Sequence, residues 1–388
     1  MDHDSVNRWL LDEARSIPEM IDFTEQFRRR LLDAGLDFSR FSIGYQTLHP
    51  EVAALAFGWE APNPAVELMP IGLEVHSSSR YLVSPVRVVH EGGDMVRCRL
   101  EGDDPELEYA FLEDLMDRGY TDYLVLGVPM ARGRNAPLML ATKRPGGFTD
   151  DDIAGLKSIR SILGLYIEIH ASHHVAHGLL DVYLGHGTGE RVIQGAIRRG
   201  SVLRYPAALM FSDLRQFTAM SERLPRNFIV HVLNDYFDAA GQAIDAHDGE
   251  ILKFIGDAVL AVFPVGEGTE QQACDRALAA ARDMIANLEE LNARRDGENK
   301  PPLRTGIGLH AGEVWYGNIG ASNRLDFTVI GPAVNRAARL EKLAADLGET
   351  VLVSEDFARS ATGGFDRVGD YELKGIEGLT PAFRPLAG

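Results

Sequence analysis

The chain has 388 residues, 45% of them hydrophobic and 25% charged, which is typical of globular proteins and long enough for two or three domains. Its formal net charge of −18 argues against sequence-independent binding to nucleic acid or binding to an anionic membrane, because those partners are also negative. No apolar run approaches the roughly 18 residues of a membrane span, and two distant cysteines exclude a disulfide framework. We therefore expect a cytoplasmic protein with no membrane span and no nucleic-acid partner.

The first 170 residues alternate helices with short strands. Residues 1–35 carry apolar side chains at helical spacing, and further helices are predicted at 105–118 and from Thr149 onward. Thr149 can cap this last helix, and the three aspartates that follow it are favoured in a first helical turn. Apolar runs bounded by turns predict strands at residues 40–48, 84–89, 94–100, 122–129 and 137–143.

This order of elements resembles a GAF-type sensor domain over roughly residues 20–170. The resemblance depends on a mixed sheet flanked by helices and on an ending that reads GVP and then PLMLATKRPGGFTDDDIAGLKSI. It implies a GAF-like mixed α/β sensor or regulatory domain at residues 1–170, which takes a small-molecule or protein effector. No ligand-binding motif is legible within it.

Residues 171–203 are predicted to be a helical linker. Four histidines around its start share one helix face, at spacings of three and four: His170, His173, His174 and His177. Such spacing suits metal ligands in principle, but we prefer the polar face of a solvated or coiled helix. The glycine-rich run at 185–189 is interpreted as a break before a second short helix at 190–199.

From residue 204 the pattern changes to that of a catalytic domain, predicted at 204–388. A strand at 206–212, a long helix, a hairpin at 250–263, a helix at 270–295 and a strand at 303–310 follow one another. This β-α-β-β-α-β order predicts an α+β, ferredoxin-like core, and a further strand–helix–strand extension leads to the C-terminus. Polymerase palms and nucleotide cyclases share the core, so the fold alone does not decide the function.

Four side chains in this domain have the chemistry of a phosphate-handling site. Asp213 and Asp257 each follow an apolar strand, and two carboxylates on neighbouring strand ends can hold divalent ions against phosphates. Asn335 and Arg339 lie four apart on a helix that begins at Pro332, so both fall on one face. Taken singly, Asp257 is also ordinary turn chemistry, and the Asn–Arg pair also fits a plain surface hydrogen bond.

Five motifs in register decide between these interpretations: FSDLRQFT, KFIGDAV, LRTGIGLHAGEVWYGNIG, FTVIGPAVNRAAR and YELKGIEG. Together they strongly resemble the catalytic domain of class III nucleotide cyclases over nearly all of residues 204–381. The resemblance implies that Asp213 and Asp257 bind two metal ions, Mg²⁺ or Mn²⁺. It also implies that Asn335 and Arg339 stabilise the transition state.

Four further residues match substrate-binding positions of the family. Lys374 matches the lysine that binds the triphosphate, and Arg304 falls where the family has a phosphate-contacting arginine. Lys253 and Thr328 fall at the two positions that read the base. A lysine with an aspartate or a threonine resembles the adenine-selecting combination, whereas a guanylate cyclase would show a glutamate and a small residue. Threonine departs from the animal enzymes and resembles a bacterial subgroup.

The resemblance therefore implies an adenylate cyclase, which converts ATP to 3′,5′-cyclic AMP and pyrophosphate at composite sites of a homodimer and is regulated by the N-terminal domain. A guanylate cyclase or a nucleotide cyclase of relaxed specificity is the alternative among enzymes. A non-catalytic module that binds nucleotide is the alternative outside them, although such modules usually lose an aspartate or the Asn–Arg pair. A diguanylate-type palm is disfavoured because no GGDEF-like motif occurs.

Overall fold

The computed structural model describes residues 1–102, 109–321 and 323–386. The chain folds into two compact units, Met1–Leu179 and Leu180–Gly388. The predicted boundaries at residues 170 and 203 stay predictions, and one continuous helix, Asp150–Leu184, runs past residue 170. Within the described ranges, no helix is both long enough and apolar enough to cross a membrane.

The first unit is built on a six-stranded antiparallel sheet with strand order β3-β2-β1-β6-β5-β4. Its strands are β1 (Arg40–Gln46), β2 (Val52–Glu60), β3 (Glu67–Gly72), β4 (Met95–Arg99), β5 (Asp122–Pro129) and β6 (Asn135–Thr142). Its helices are α1 (His3–Asp12), α2 (Met20–Asp33), α3 (Ser79–Leu82), α4 (Pro85–His90), α5 (Phe111–Asp117) and α6 (Asp150–Leu184). The predicted combination of a sheet with helices is confirmed, but the prediction of a mixed sheet was wrong, because all its strand pairs are antiparallel. The GAF-type assignment stays a prediction.

Several N-terminal predictions were wrong in detail. Residues 84–89 form helix α4 rather than a strand, because the Ser84 side chain accepts a hydrogen bond from the Arg87 backbone N–H and Pro85 occupies the first turn. The valines of that segment had favoured a strand. Strands β2 and β3 were not predicted, whereas the helical character predicted for residues 1–35 is confirmed by α1 and α2. Of the helix predicted at 105–118, residues 105–108 lie outside the described residues.

Helix α6 begins as predicted and packs two of the four linker histidines. Thr149 and Asp152 exchange hydrogen bonds between side chain and backbone N–H at 3.0 and 3.2 Å, which closes the first turn. His170 packs against the ring of Phe23, and His174 lies edge-on to Tyr45. Across the described ranges, no cluster of three or more acidic, histidine or cysteine side chains has metal-binding geometry. His170 is thus half-buried against Phe23, while His173, His174 and His177 are exposed, as the preferred polar face requires.

The second unit contains an eight-stranded sheet in which β11 pairs with β10 and the other strands follow the order β13-β14-β12-β10-β7-β9-β8. Its strands are β7 (Val202–Leu214), β8 (Glu250–Ile255), β9 (Ala258–Pro264), β10 (Thr305–Ala321), β11 (Arg324–Ile330), β12 (Val351–Ser354), β13 (Phe365–Glu372) and β14 (Leu379–Pro385). Its helices are α7 (His186–Ile193), α8 (Phe217–Arg223), α9 (Arg226–Asp245), α10 (Glu270–Gly297), α11 (Pro332–Leu347) and α12 (Glu355–Ser360). Helix α7 begins four residues earlier than predicted and ends at Ile193 instead of residue 199, so the predicted break at 185–189 is confined to Gly185.

The ferredoxin-like core is confirmed, because β7, α9, β8, β9, α10 and β10 follow one another and the strands lie in the order β10-β7-β9-β8. Alternate residues of β7 face opposite sides of the sheet. Ala208 and Met210 pack on α9 and α10, whereas Ala207 and Leu209 pack in a cluster with Ala337 of α11. The C-terminal end of β7 lies beside the N-terminal end of β9.

Candidate active site

The two predicted metal aspartates meet where β7 ends and β9 begins. Asp213 is the second-last residue of β7 and lies opposite Ala258 of β9, so Asp257 in the β8–β9 turn is its diagonal neighbour. Gly256 has φ of 66°, which lets the tight turn present Asp257 beside Asp213. Burial, together with a hydrogen bond and the charge of Asp257, raises the pKa of Asp213 from 3.8 to about 6.

A buried hydroxyl cluster holds these strand ends in place. The Tyr236 hydroxyl on α9 hydrogen-bonds Ser212 at 3.1 Å and Thr305 at 3.0 Å. The Thr305 hydroxyl also lies 3.2 Å from the backbone carbonyl oxygen of Asp213. Because these polar groups have their partners inside the domain, the cluster joins α9, β7 and β10 directly beneath the carboxylates.

The residues present fit a divalent cation. Asp213 and Asp257 supply hard oxygen donors, which Mg²⁺ and Mn²⁺ prefer, and the repulsion that raises the pKa of Asp213 is relieved by positive charge. Two carboxylates alone are too few ligands for an ion, so the phosphates of a nucleotide are the natural source of the remaining oxygens. The pair would then hold metal only weakly without substrate.

The raised pKa of Asp213, caused by burial and by the neighbouring Asp257, predicts that Asp213→Asn stabilises the protein in the presence of a chelator. The folded-state pKa lies above the ordinary value, so ionisation costs the native state free energy that appears as pH rises from about 4 to about 6. After allowance for solvent screening, we expect the variant to gain about 1–2 kcal/mol at pH 8 and almost nothing at pH 4. Urea unfolding with EDTA at both pH values measures this; an equal gain at both would contradict it.

A cleft of about 1170 Å³ opens beside the carboxylates. Asp213, Asp257 and Arg304 line it, and the exposed side chain of Arg304 brings positive charge into the same cleft. The backbone carbonyl of Arg304 accepts a hydrogen bond from the Arg215 N–H at 2.8 Å, which fixes the cleft wall to the end of β7. The structure therefore brings three of the eight predicted residues together.

The predicted base-reading residues lie on β8 and β11. Lys253 is half-buried on β8 and forms an ion pair with Asp326 on β11, and Thr328 is two residues further along β11. Alternation along a strand puts residues 326 and 328 on one face. Sequence reasoning missed Asp326, although this period of two around Thr328 was a signal that points to it. A lysine held by a carboxylate has a defined direction.

The predicted transition-state pair lies on the outer face of α11. Asn335 is exposed and Arg339 is half-exposed, while Ala333, Ala337 and Ala344 are buried on the inner face. Gly308 of β10 lets the helix lie close, because a Cβ there would overlap the α11 backbone. Lys374 is exposed in the turn after β13. In the part of the chain that the structure describes, Asn335, Arg339 and Lys374 form no hydrogen bond or ion pair through their side chains.

Arg215 and Glu341 form a second feature that sequence reasoning missed. Glu341 is 5% exposed on the inner face of α11, and the Arg215 guanidinium donates to its carboxylate at 2.8 Å. Burial and the charges of Asp213 and Asp257 raise the pKa of Glu341 to about 7, against the lowering effect of Arg215. The arginine of the motif FSDLRQFT, two residues after Asp213, was the available signal.

Comparison with known proteins places this site in a family. An adenylate cyclase of Anabaena cylindrica is 39% identical over 156 residues, which are 39% of this chain and 30% of that protein. Adenylate cyclase 1 of Rhizobium meliloti is 37% identical over 154 residues, or 39% of this chain and 23% of that protein. The aligned segment thus spans less than a third of either relative. The solved adenylyl cyclase CyaB from P. aeruginosa is 25% identical, with 48% of this chain and 97% of that chain covered and a TM-score of 0.45.

The family model described as the adenylate and guanylate cyclase catalytic domain matches residues 204–383. This segment belongs to the class III nucleotide cyclase family. The cyclase domain so defined contains all eight predicted site residues, and the prediction of the family is confirmed. Their individual roles in the cyclase domain stay predictions.

Proposed function

We propose that this protein is an adenylate cyclase that converts ATP to 3′,5′-cyclic AMP and pyrophosphate. The observation that carries the proposal is the contact between Asp213 and Asp257 at the mouth of a cleft that also contains Arg304. Two repelling carboxylates have little value for stability, so their retention inside a cyclase domain favours a catalytic domain over a decayed binding module.

The proposed reaction forms one phosphorus–oxygen bond and breaks another. The ribose 3′-oxygen attacks the α-phosphorus in line, its proton is released, and the bond to the β-phosphate oxygen breaks to give pyrophosphate. Asp213 and Asp257 would hold divalent ions, Mg²⁺ or Mn²⁺ and two per site, which when bound would neutralise phosphate charge and lower the pKa of the 3′-hydroxyl. Arg339 stabilises charge on the α-phosphoryl group, and Asn335 orients the ribose.

The remaining cations are proposed to hold the ends of the nucleotide. Arg304 and Lys374 bind the leaving pyrophosphate, which disperses the charge that develops on it. Lys253, directed by Asp326, reads the base together with Thr328. A donor ammonium and a hydroxyl that serves as either donor or acceptor suit the N1 and 6-amino edge of adenine.

We further propose a homodimer with two composite sites. Within one subunit, the cleft collects the aspartates and Arg304, whereas Asn335 and Arg339 occupy the outer face of α11 and, in the described ranges, line no part of that cleft. An exposed Asn–Arg pair whose side chains have no partner among the described residues of their own subunit fits a site that a second copy completes. A twofold dimer gives each set of aspartates one Asn–Arg pair from the partner.

Turnover with the two purine nucleotides tests the proposal. The purified protein is incubated with ATP or GTP and with Mn²⁺ or Mg²⁺, and cyclic nucleotide and pyrophosphate are measured. We expect cyclic AMP from ATP and at least tenfold less cyclic GMP from GTP, and we expect Lys253→Glu to reduce that ratio by about tenfold or more, because a carboxylate accepts from guanine instead. Equal use of both nucleotides would favour the relaxed cyclase, and binding without turnover would favour the non-catalytic module.

Regulation by the N-terminal unit, an effector bound there and a cytoplasmic location complete the proposal. Support comes from the order of the units and from the connector, where the backbone N–H of Thr188 in α7 donates to Glu250 at 3.0 Å, three residues before Lys253. A fragment that starts at Leu180 keeps this contact. If the fragment matches the full chain in rate and in response to effectors, the regulatory proposal is wrong.

A further inference from the structure

The ion pair between Arg215 and Glu341 joins two parts of the cyclase domain that the proposed mechanism uses separately. Arg215 follows the end of β7, two residues after Asp213. Glu341 lies on α11, two residues after Arg339. The guanidinium donates to the Glu341 carboxylate at 2.8 Å and reaches the carbonyl of Glu349, beyond the end of the helix, at 3.4 Å.

The surroundings are shaped to hold this pair. Gly306 on β10 lies under the guanidinium, and a Cβ at that position would overlap its atoms. The Arg215 side chain is 20% exposed and that of Glu341 is 7% exposed, so the interaction is largely shielded from water. A buried ion pair offsets the cost of desolvating its two charges only when its geometry is good, so the positions of both partners are tightly restricted.

The pair adds a directional polar contact to an interface that is otherwise largely apolar. The inner face of α11 buries Ala333, Ala337, Leu340 and Ala344 beside Glu341, and apolar contacts lack the directionality of an ion pair. A fixed ion pair near the middle of the helix defines both its rotation and its position along its axis. Asn335 and Arg339 on the outer face move with any such shift.

We propose that Arg215 and Glu341 are positioning residues that set α11 and thereby aim Asn335 and Arg339 at the aspartates of the partner subunit. This inference rests on the proposed composite dimer and deepens it. Its consequence is that the pair acts in trans: it serves the active site to which its own subunit contributes α11, not the site that contains its own Asp213. A displacement of about 1 Å costs on the order of a hundredfold in rate.

A purely electrostatic role gives the opposite expectation. Glu341 and Arg215 lie near Asp213 and Asp257, and both charges act on those carboxylates. If the pair only tuned the field at the metal site, its loss would impair the site in its own subunit. The two roles therefore differ in which subunit must carry the substitution.

Mixed dimers with a single intact site separate the two roles. One full-length subunit carries Asp257→Ala and contributes only α11 to the intact site, and the other carries Asn335→Ala and contributes only the aspartates. Two affinity tags isolate the mixed species after coexpression. Glu341→Gln is then added to one subunit or to the other, and kcat for ATP is compared, with Lys342→Gln on the exposed side of the same helix as the matched control.

We expect Glu341→Gln to lower kcat by about tenfold to a hundredfold on the Asp257→Ala subunit, and by less than about twofold on the Asn335→Ala subunit. The reverse pattern or an equal loss on both subunits overturns the proposal. If the mixed dimer without Glu341→Gln is inactive, the proposal of a composite dimer is wrong. That result is distinguishable because it is obtained before any substitution in the Arg215–Glu341 pair.

Two further measurements keep a folding defect apart from a positioning effect. Arg215→Gln combined with Glu341→Gln removes both members of the ion pair and leaves neither an unpaired guanidinium nor an unpaired carboxyl near the aspartates. We expect Mn²⁺ binding to this double variant, followed by electron paramagnetic resonance without nucleotide, to stay within about twofold of wild type while the trans effect on kcat persists. If Glu341→Gln unfolds, Arg215→Lys, which retains the charge but not the planar fork, is expected to give the same subunit asymmetry.

Discussion

Asp213→Ala and Asn335→Ala are each expected to lower cyclic AMP formation by at least about a thousandfold, and a mixture of the two variants is expected to recover activity. Loss of Asp213 removes half of the oxygen donors that the chain supplies for the metal ions, and loss of Asn335 removes an orienting contact made in the transition state. In a composite dimer the two defects fall on the same site in one arrangement and leave the other site intact.

The expected recovery has a defined size. Random exchange of equal amounts makes half of the dimers mixed, and each mixed dimer has one intact site of two, so about one quarter of wild-type activity should return. Circular dichroism and the unfolding temperature of each variant serve as folding controls. Absence of recovery with exchange demonstrated by two tags would contradict the shared site, and full activity of either single variant would contradict its assigned role.

Arg339→Ala is expected to lower kcat by about a hundredfold to a thousandfold with little change in KM, because the guanidinium stabilises charge that develops only in the transition state. Arg339→Lys keeps the charge without the planar fork and should recover only part of the loss. Stability should stay within about 0.5 kcal/mol, since the side chain is half-exposed and is not paired within the described residues.

The neighbouring arginine on the same helix is a matched control for this prediction. Arg336 lies 3.8 Å from Asp356 within its own subunit and is likewise half-exposed. We expect Arg336→Lys to change kcat by less than about twofold. Steady-state kinetics with ATP and Mn²⁺ at one pH measures all three variants, and a larger loss at residue 336 than at residue 339 would contradict the assignment of Arg339.

The catalytic domain was largely predictable from local patterns. Its strands and helices carry long apolar periods, and the split β-α-β-β-α-β order follows from them, so the predicted core agrees with the observed strand order. The first unit was less predictable. Strand β2, with the sequence VAALAFGWE, is buried at most positions and shows no alternation, and helix α4 depends on a cap at Ser84 that outweighs the preference of valine for strands.

The candidate site likewise contains residues that the sequence predicted and residues that it did not. Asp213, Asp257, Asn335 and Arg339 stand in motifs whose spacing was legible, because each motif lies on one strand end, one turn or one helix face. Asp326 was missed because its partner, Lys253, is 73 residues away on another strand. Glu341 was missed for the same reason, since 126 residues separate it from Arg215.

The sequence by itself determined the family of residues 204–383, the order of the core elements and the residue types available to the site, because these depend on motifs and on periods of two and 3.6 residues. Only the tertiary structure decided that Arg215 pairs with Glu341 and Lys253 with Asp326. It also decided that, within the described residues, the lining of the cleft includes Asp213 and Asp257 but not Asn335 or Arg339. Such facts depend on strand register and on the depth at which a helix packs on a sheet. A sequence read in one dimension does not contain those distances.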